Sequence, residues 1–173
     1  MEGYLDYKSN SKGYIYAKLY DSLVEGKLAL EMLQKGLLQN ASSKVFLSVK
    51  SAVSALVVKN LNEIIKLKKE KYWYENVGYS APTTGLIGIS KDLKNLGIDA
   101  ENVIRIALSL HKFSYNGFDP NFVDYRNSEE VISDIKEVIE WLLNLKYYFD
   151  DFWDEKLEKA KKELEELLKN TFN

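Results

Sequence analysis

Between Val45 and Leu67 two apolar stripes run side by side at helical spacing: Val45, Val49, Ala52, Leu56, and Val53, Val57, Leu61, Ile64. A strand alternates every two residues and does not produce this pattern, so the stretch reads as a helix with a wide apolar face, suited to a central position. Small residues on it, Ser48, Ser51, Ala52, Ser54 and Ala55, let a neighbouring helix approach closely. Asn40 is the expected N-cap, and the basic stretch Lys66, Lys68, Lys69, Lys71 leads out into Tyr72-Trp73-Tyr74.

The same period recurs along the chain. Leu19, Leu23, Leu30, Leu33 and Leu37 mark a helix over 14–38, with Gly26 in the gap of the stripe. Gly78 and Ala81-Pro82 mark a break, because a residue before proline is pushed out of the helical region. Leu86, Ile89, Leu93 and Leu96 predict a short helix closed by Gly97, and Asp99 caps another through about Leu110. An irregular segment from Tyr115 to Arg126 follows, with turn signatures at Asn116-Gly117 and Asp119-Pro120. Asn127 with Glu130 resembles a capping box, opening a helix through Val131, Ile135, Val138, Ile139 and Leu142. A last helix over about 151–169 has a narrow stripe, Leu157, Ala160, Leu164, Leu167, and no segment alternates as a strand does. The expectation is an all-α bundle of about five or six antiparallel helices with a long ordered loop before the penultimate one. Residues 1–13 read as an N-terminal extension, 14–150 as the bundle, and 151–173 as a charged helix packing on the bundle or on a partner protomer.

Composition narrows the chemistry. The chain has 173 residues, 46% hydrophobic, enough for one domain with a core, and it has no cysteine. Disulfides and Cys-ligated zinc or iron–sulfur sites drop out, which suits a reducing cytoplasm. No apolar run approaches the roughly 20 residues of a membrane span, so no membrane association is expected. The net charge of −2 excludes a globally basic nucleic-acid coat but leaves room for a local patch. Residues 1–75 carry 12 lysines against 8 acids, whereas 119–173 carry 8 basic residues against 15 acids. That polarity suits acidic C-terminal helices lying against more basic N-terminal ones, in one chain or between copies, or simply two solvated faces.

With one histidine and no phosphate-binding glycine loop, general-base chemistry near neutral pH narrows to His111, unless that residue only packs or caps a helix end. Arg105, one of two arginines, precedes it by six positions. A histidine can take the proton of a ribose 2′-OH while a guanidinium stabilises the charge developing at phosphorus, with no metal or cofactor required. Six helical residues set the two side chains about 120° apart. Convergence therefore needs the helix to loosen near His111, or a two-fold dimer presenting each site from both copies. Arg105 aligns instead with Asn102, Ser109 and Lys112. The aromatics Tyr72-Trp73-Tyr74-Tyr79 and Tyr115-Phe118-Phe122-Tyr125 suit base stacking or core packing. Asn116, Asp119 and Asp124 suit a cation or, more simply, turns. Arg126 is placed to pair with acids of the final helices.

The central helix from Asn40 to Leu56, Trp73, Ala81-Pro-Thr-Thr84, and above all Leu110-His111-Lys-Phe-Ser-Tyr115-Asn-Gly117-Phe-Asp119-Pro120 with Tyr125-Arg126, resemble the archaeal PaREP family over about residues 19–145. Its fold is similar to the HEPN superfamily, antiparallel helical bundles that usually form homodimers. Many of these are metal-independent RNases carrying R-x(4 to 6)-H, often with an aromatic residue two positions after the histidine, a pattern Arg105, His111 and Phe113 match. The position after the arginine, commonly polar there, is Ile106 here. The resemblance implies an endoribonuclease with His111 as base and Arg105 as charge stabiliser, with Lys112, Ser109, Phe113, Tyr115, Asn116 and Trp73 binding phosphate or base. The rival implication is a non-catalytic homodimeric module that binds nucleotide, RNA or a nucleotidyltransferase-type partner protein. No metal site and no cofactor are expected under either.

Overall fold

A computed structural model describes residues 6–67 and 70–173, and among these every regular element is helical. Two long helices, α1 (Ser11–Gln34) and α2 (Leu38–Lys59), form an antiparallel hairpin through a tight turn in which Gly36 takes φ +74°. Asn10 caps α1 by accepting from the Gly13 amide, at 2.9 Å. α2 is the centre of the bundle, packed by α1, α6 and α7, and every residue from Ala52 to Val58 is buried. Each large apolar side chain so buried contributes roughly 1.5–3 kcal/mol relative to exposure. By length and composition α2 would also cross a membrane, but most of it is enclosed by the other helices, as a core helix is.

The small residues of α2 do more than make room. Ser54 donates to the Tyr79 carbonyl and shares a 2.6 Å hydrogen bond with the Tyr14 hydroxyl, tying α1, α2 and the 78–80 turn together. Ser48 donates back to the Val45 carbonyl and so hides its polar atom inside the helix. Gly26 lets α1 meet α7 and α8, since a Cβ there would lie 3.0 Å from Leu142 Cδ1 and 3.5 Å from Leu164 Cδ2.

α2 stops earlier than its stripes predict. Asn60 folds its side chain onto the Leu56 carbonyl, 2.7 Å away, and the chain restarts as α3 (Leu61–Leu67) and α4 (Lys71–Asn76). Lys68 and Lys69 of the basic stretch lie outside the described residues. Ala81 takes a left-handed conformation before Pro82, after which α5 (Leu86–Lys94) and α6 (Glu101–Asn116) follow. Neither Asn40 nor Asp99 acts as an N-cap: α2 begins at Leu38, and α6 begins after Ala100 without a side-chain cap. Loop 117–127 leads to α7 (Ser128–Leu143), where Asn127 does cap, accepting from Glu130 N at 3.1 Å. Glu130 reaches back to the Arg126 amide rather than to that of Asn127.

After two 3-10 turns, α8 (Glu155–Phe172) opens on an Asp154 cap and lies along α1 of its own chain. Three polar contacts stitch the pair: Tyr16 Oη on both Asp154 oxygens at 2.8 and 2.9 Å, Lys27 on Glu163 at 3.3 Å, and Gln34 on Thr171 at 2.9 Å. Only Leu157 and Leu164 of α8 are fully buried. The described residues thus hold eight α-helices rather than five or six, because α3 is cut from the expected helix over 45–67 at Asn60 and α4 is a further short helix before the Gly78 break, whereas α5 is the short helix expected over Leu86 to Leu96.

Candidate functional site

His111 sits on α6 where that helix crosses α2. Its imidazole stacks on buried Phe46, with ring centroids 3.9 Å apart and planes 22° from parallel. Tyr115, one turn further along α6, meets it edge-on at 5.2 Å and is itself 78% exposed. One turn beyond Phe46 on α2, Lys50 holds Nζ 5.7 Å from the centroid of the Phe46 ring. Burial lowers the His111 pKa below its ordinary 6.5, and the Lys50 charge acts in the same direction, so the ring is neutral at pH 7. Among the described residues no hydrogen bond reaches either ring nitrogen, and neither Lys50 nor Lys112 has an ion-pair partner. The junction therefore combines an uncommitted imidazole, the Lys50 ammonium and an exposed aromatic face, with the Lys112 ammonium on the adjoining outer face of α6.

Arg105 points elsewhere. Its Nη2 lies 3.1 Å from Glu101 Oε1 one turn back, and Lys94 reaches the other oxygen of that carboxylate at 3.4 Å. The bonds from Arg105 and then Lys94 hold Glu101 below the usual carboxylate range. α6 is unbroken from Glu101 to Asn116, so the loosening near His111 that a joint site within one chain requires does not occur. The side chains stay about 120° apart around the helix.

The other expected residues divide. Lys112 and Asn116 lie on the outer face of α6, Asn116 Nδ2 folded back onto the Lys112 carbonyl at 2.8 Å. Ser109 shares that face, half-buried. Phe113 is 1% exposed and packs edge-on against Phe118 and Tyr125, so it supports the site from beneath. Trp73 fills the corner between α4 and α5: a Cβ on Gly78 or Gly85 would come within 2.7 Å of its ring carbons. The structure thus groups His111 and Tyr115 with Phe46 and Lys50 of α2, leaves Lys112 on the adjoining outer face of α6, and sets Arg105, held by Glu101, and Trp73 in other surroundings. Sequence reading missed Phe46 and Lys50. Their spacing of four puts them on one helix face beside the counted apolar stripes, which was the available signal.

Asp119 is a turn residue, its Oδ1 accepting from both nitrogens of Asn121 at 3.0 Å. Among the described residues no three His, Cys, Asp or Glu side chains are grouped as a metal site. A hollow of about 270 Å³ between α1 and α8 is lined by both partners of the Lys27–Glu163 ion pair.

A family model of archaeal PaREP1/PaREP8 proteins matches residues 17–136, more than half of the chain. The chain belongs to the archaeal PaREP1/PaREP8 family. No curated protein and no solved structure matches it. The PaREP1/PaREP8 match takes in both sides of the surface just described, Phe46 and Lys50 on α2 and His111 to Tyr115 on α6, and ends before α8.

Proposed function

We propose that this chain is a binding module for RNA or a nucleotide, contacting its ligand through the surface centred on His111. The observation that carries the reading is the junction of α2 and α6. There, among the described residues, the histidine keeps both ring nitrogens unbonded beside Lys50, which has no ion-pair partner, and an exposed tyrosine, with Lys112 on the adjoining outer face of α6. Ammonium groups and an imidazole suit phosphate oxygens, and an exposed aromatic face suits a base. A HEPN-like arrangement, homodimerisation and a nucleotidyltransferase-type partner belong to the same reading and are supported by the family resemblance alone.

Metal-independent RNA cleavage is the second reading, and one observation favours it: a neutral His111 at pH 7 is in the form a general base requires. It also needs a guanidinium from outside the site, since Arg105 of the same chain is bound to Glu101. The test is to incubate the purified protein with mixed RNA in EDTA beside His111→Ala, following both binding and the ends produced. Retention of RNA that weakens in His111→Ala, with no new ends, is the expected result. Release of 2′,3′-cyclic phosphate ends that disappears in His111→Ala would replace binding by cleavage.

A further inference from the structure

The exposed rings beside His111 do not stop at Tyr115. Past Gly117, which takes φ +56°, loop 117–127 carries Phe118 at 42% exposure and Phe122 at 60%. Phe118 leans edge-on against Phe113, 4.9 Å between centroids, so it lies on the flank of α6 away from His111. Phe122 has no ring contact among the described residues.

This loop is fixed in place. The Asp119 carbonyl accepts from the amides of Phe122 and Val123 at 3.1 and 3.0 Å, and Val123 is buried. The Tyr125 hydroxyl donates to Asp134, and Arg126 donates twice to Glu130 at 2.7 Å. An ordered loop that keeps large aromatics in water presents a preformed contact surface, with its ordering entropy already spent in folding.

We infer that the loop extends the His111 surface into a track for single-stranded RNA longer than one nucleotide. Tyr115, Phe118 and Phe122 stack unpaired bases, and Lys50 and Lys112 hold the phosphates. Tyr115 and Phe118 stand on opposite flanks of the last turn of α6, and a helix with its side chains is about 10 Å across, so no single base covers both. Lys112 lies between them on the outer face. Charge sets the side on which the backbone runs. Lys112 lies just before the last turn of α6 and Lys50 on α2, while Asp119 and Asp124 sit in the loop, so the phosphates follow the two helices and the bases turn toward the loop. A duplex hides its base faces and gains nothing from these rings. The inference rests on the nucleic-acid reading above and adds length and strandedness to it.

The test uses a fluorescein-labelled mixed-sequence RNA octamer, the same octamer annealed to its complement, and unlabelled AMP as competitor, read by anisotropy. The octamer is expected to bind roughly tenfold or more tighter than the duplex or AMP, and Phe122→Ser to weaken it by roughly tenfold, the scale of one lost stack. Phe122 is exposed, so an unchanged unfolding midpoint checks that the variant is folded. Equal binding of AMP or duplex, or an unaltered Phe122→Ser variant, would overturn the track and leave the binding reading standing. Failure of both octamer and AMP to bind would overturn the two together.

Discussion

Arg105 and His111 occupy one continuous helix yet answer to different neighbours. The arginine is 3.1 Å from Glu101 on the outer face, and the imidazole is stacked 3.9 Å from the Phe46 ring of α2. Arg105→Ala should therefore leave both the unfolding midpoint and RNA retention unchanged, because an exposed i, i+4 pair adds little to stability. His111→Ala should reduce retention. Equal losses of retention in the two variants would show that they work as a unit, across protomers if not within one.

Burial, and with it the Lys50 charge, favours the neutral form of His111. Lys50→Met should raise the imidazole pKa toward 6.5, followed by NMR titration of the ring protons, and an unmoved value would remove Lys50 from the site. The lowered folded-state pKa also fixes a sign. As pH falls below about 6.5 the unfolded chain takes up the proton first, so stability is unaffected above that value and declines below it. His111→Gln should flatten this decline below about pH 6.5 in urea unfolding and leave stability above it unchanged.

Trp73 leaves no room for a Cβ at Gly78, where the nearest ring carbon would be 2.5 Å away. Gly78→Ala should cost about 1–3 kcal/mol by overpacking. The buried Tyr74 ring, 2.8 Å from the same position, crowds it as well, so in a Trp73→Leu background the substitution should cost less but still destabilise, and chemical denaturation of the four proteins in this cycle separates the indole's share.

Loop 117–127 is anchored at its far end by the Tyr125 hydroxyl on Asp134. Both groups are partly buried, so Tyr125→Phe leaves the carboxylate short of a donor and should cost about 1–3 kcal/mol. Since the fixed loop displays Phe122, the same variant should weaken RNA binding beyond the effect of stability alone, measured well below the unfolding midpoint.

Fold class was legible because six stretches carry a helical period and none alternates, and the apolar stripes of α2 named the central helix directly. Boundaries were harder to read. Asn60 ends α2 through a side-chain bond to Leu56 that no stripe announces, and Ala100 opens α6 with no capping side chain at all. At the site, His111 stood out by being unique and Tyr115 by lying in the Leu110-to-Pro120 segment that carries the family resemblance. Phe46 and Lys50 did not, because nothing in a local pattern says which two helices will cross at a given residue. Trp73 read as suited to either base stacking or core packing, and two glycines five and twelve positions downstream, Gly78 and Gly85, leave the space in which its half-buried ring packs.

The C-terminal helix is stitched to α1 by hydrogen bonds and one ion pair but buries fully only Leu157 and Leu164 of its 18 residues. Its amide protons will therefore exchange with deuterium through an opening far cheaper than global unfolding, while those of α2 report the full free energy of the fold. The chain thus has a hierarchy of its own. The helices that form the His111 surface belong to the most protected unit, and the segment beyond residue 154 is the first to let go and the natural place to carry a tag or a fusion.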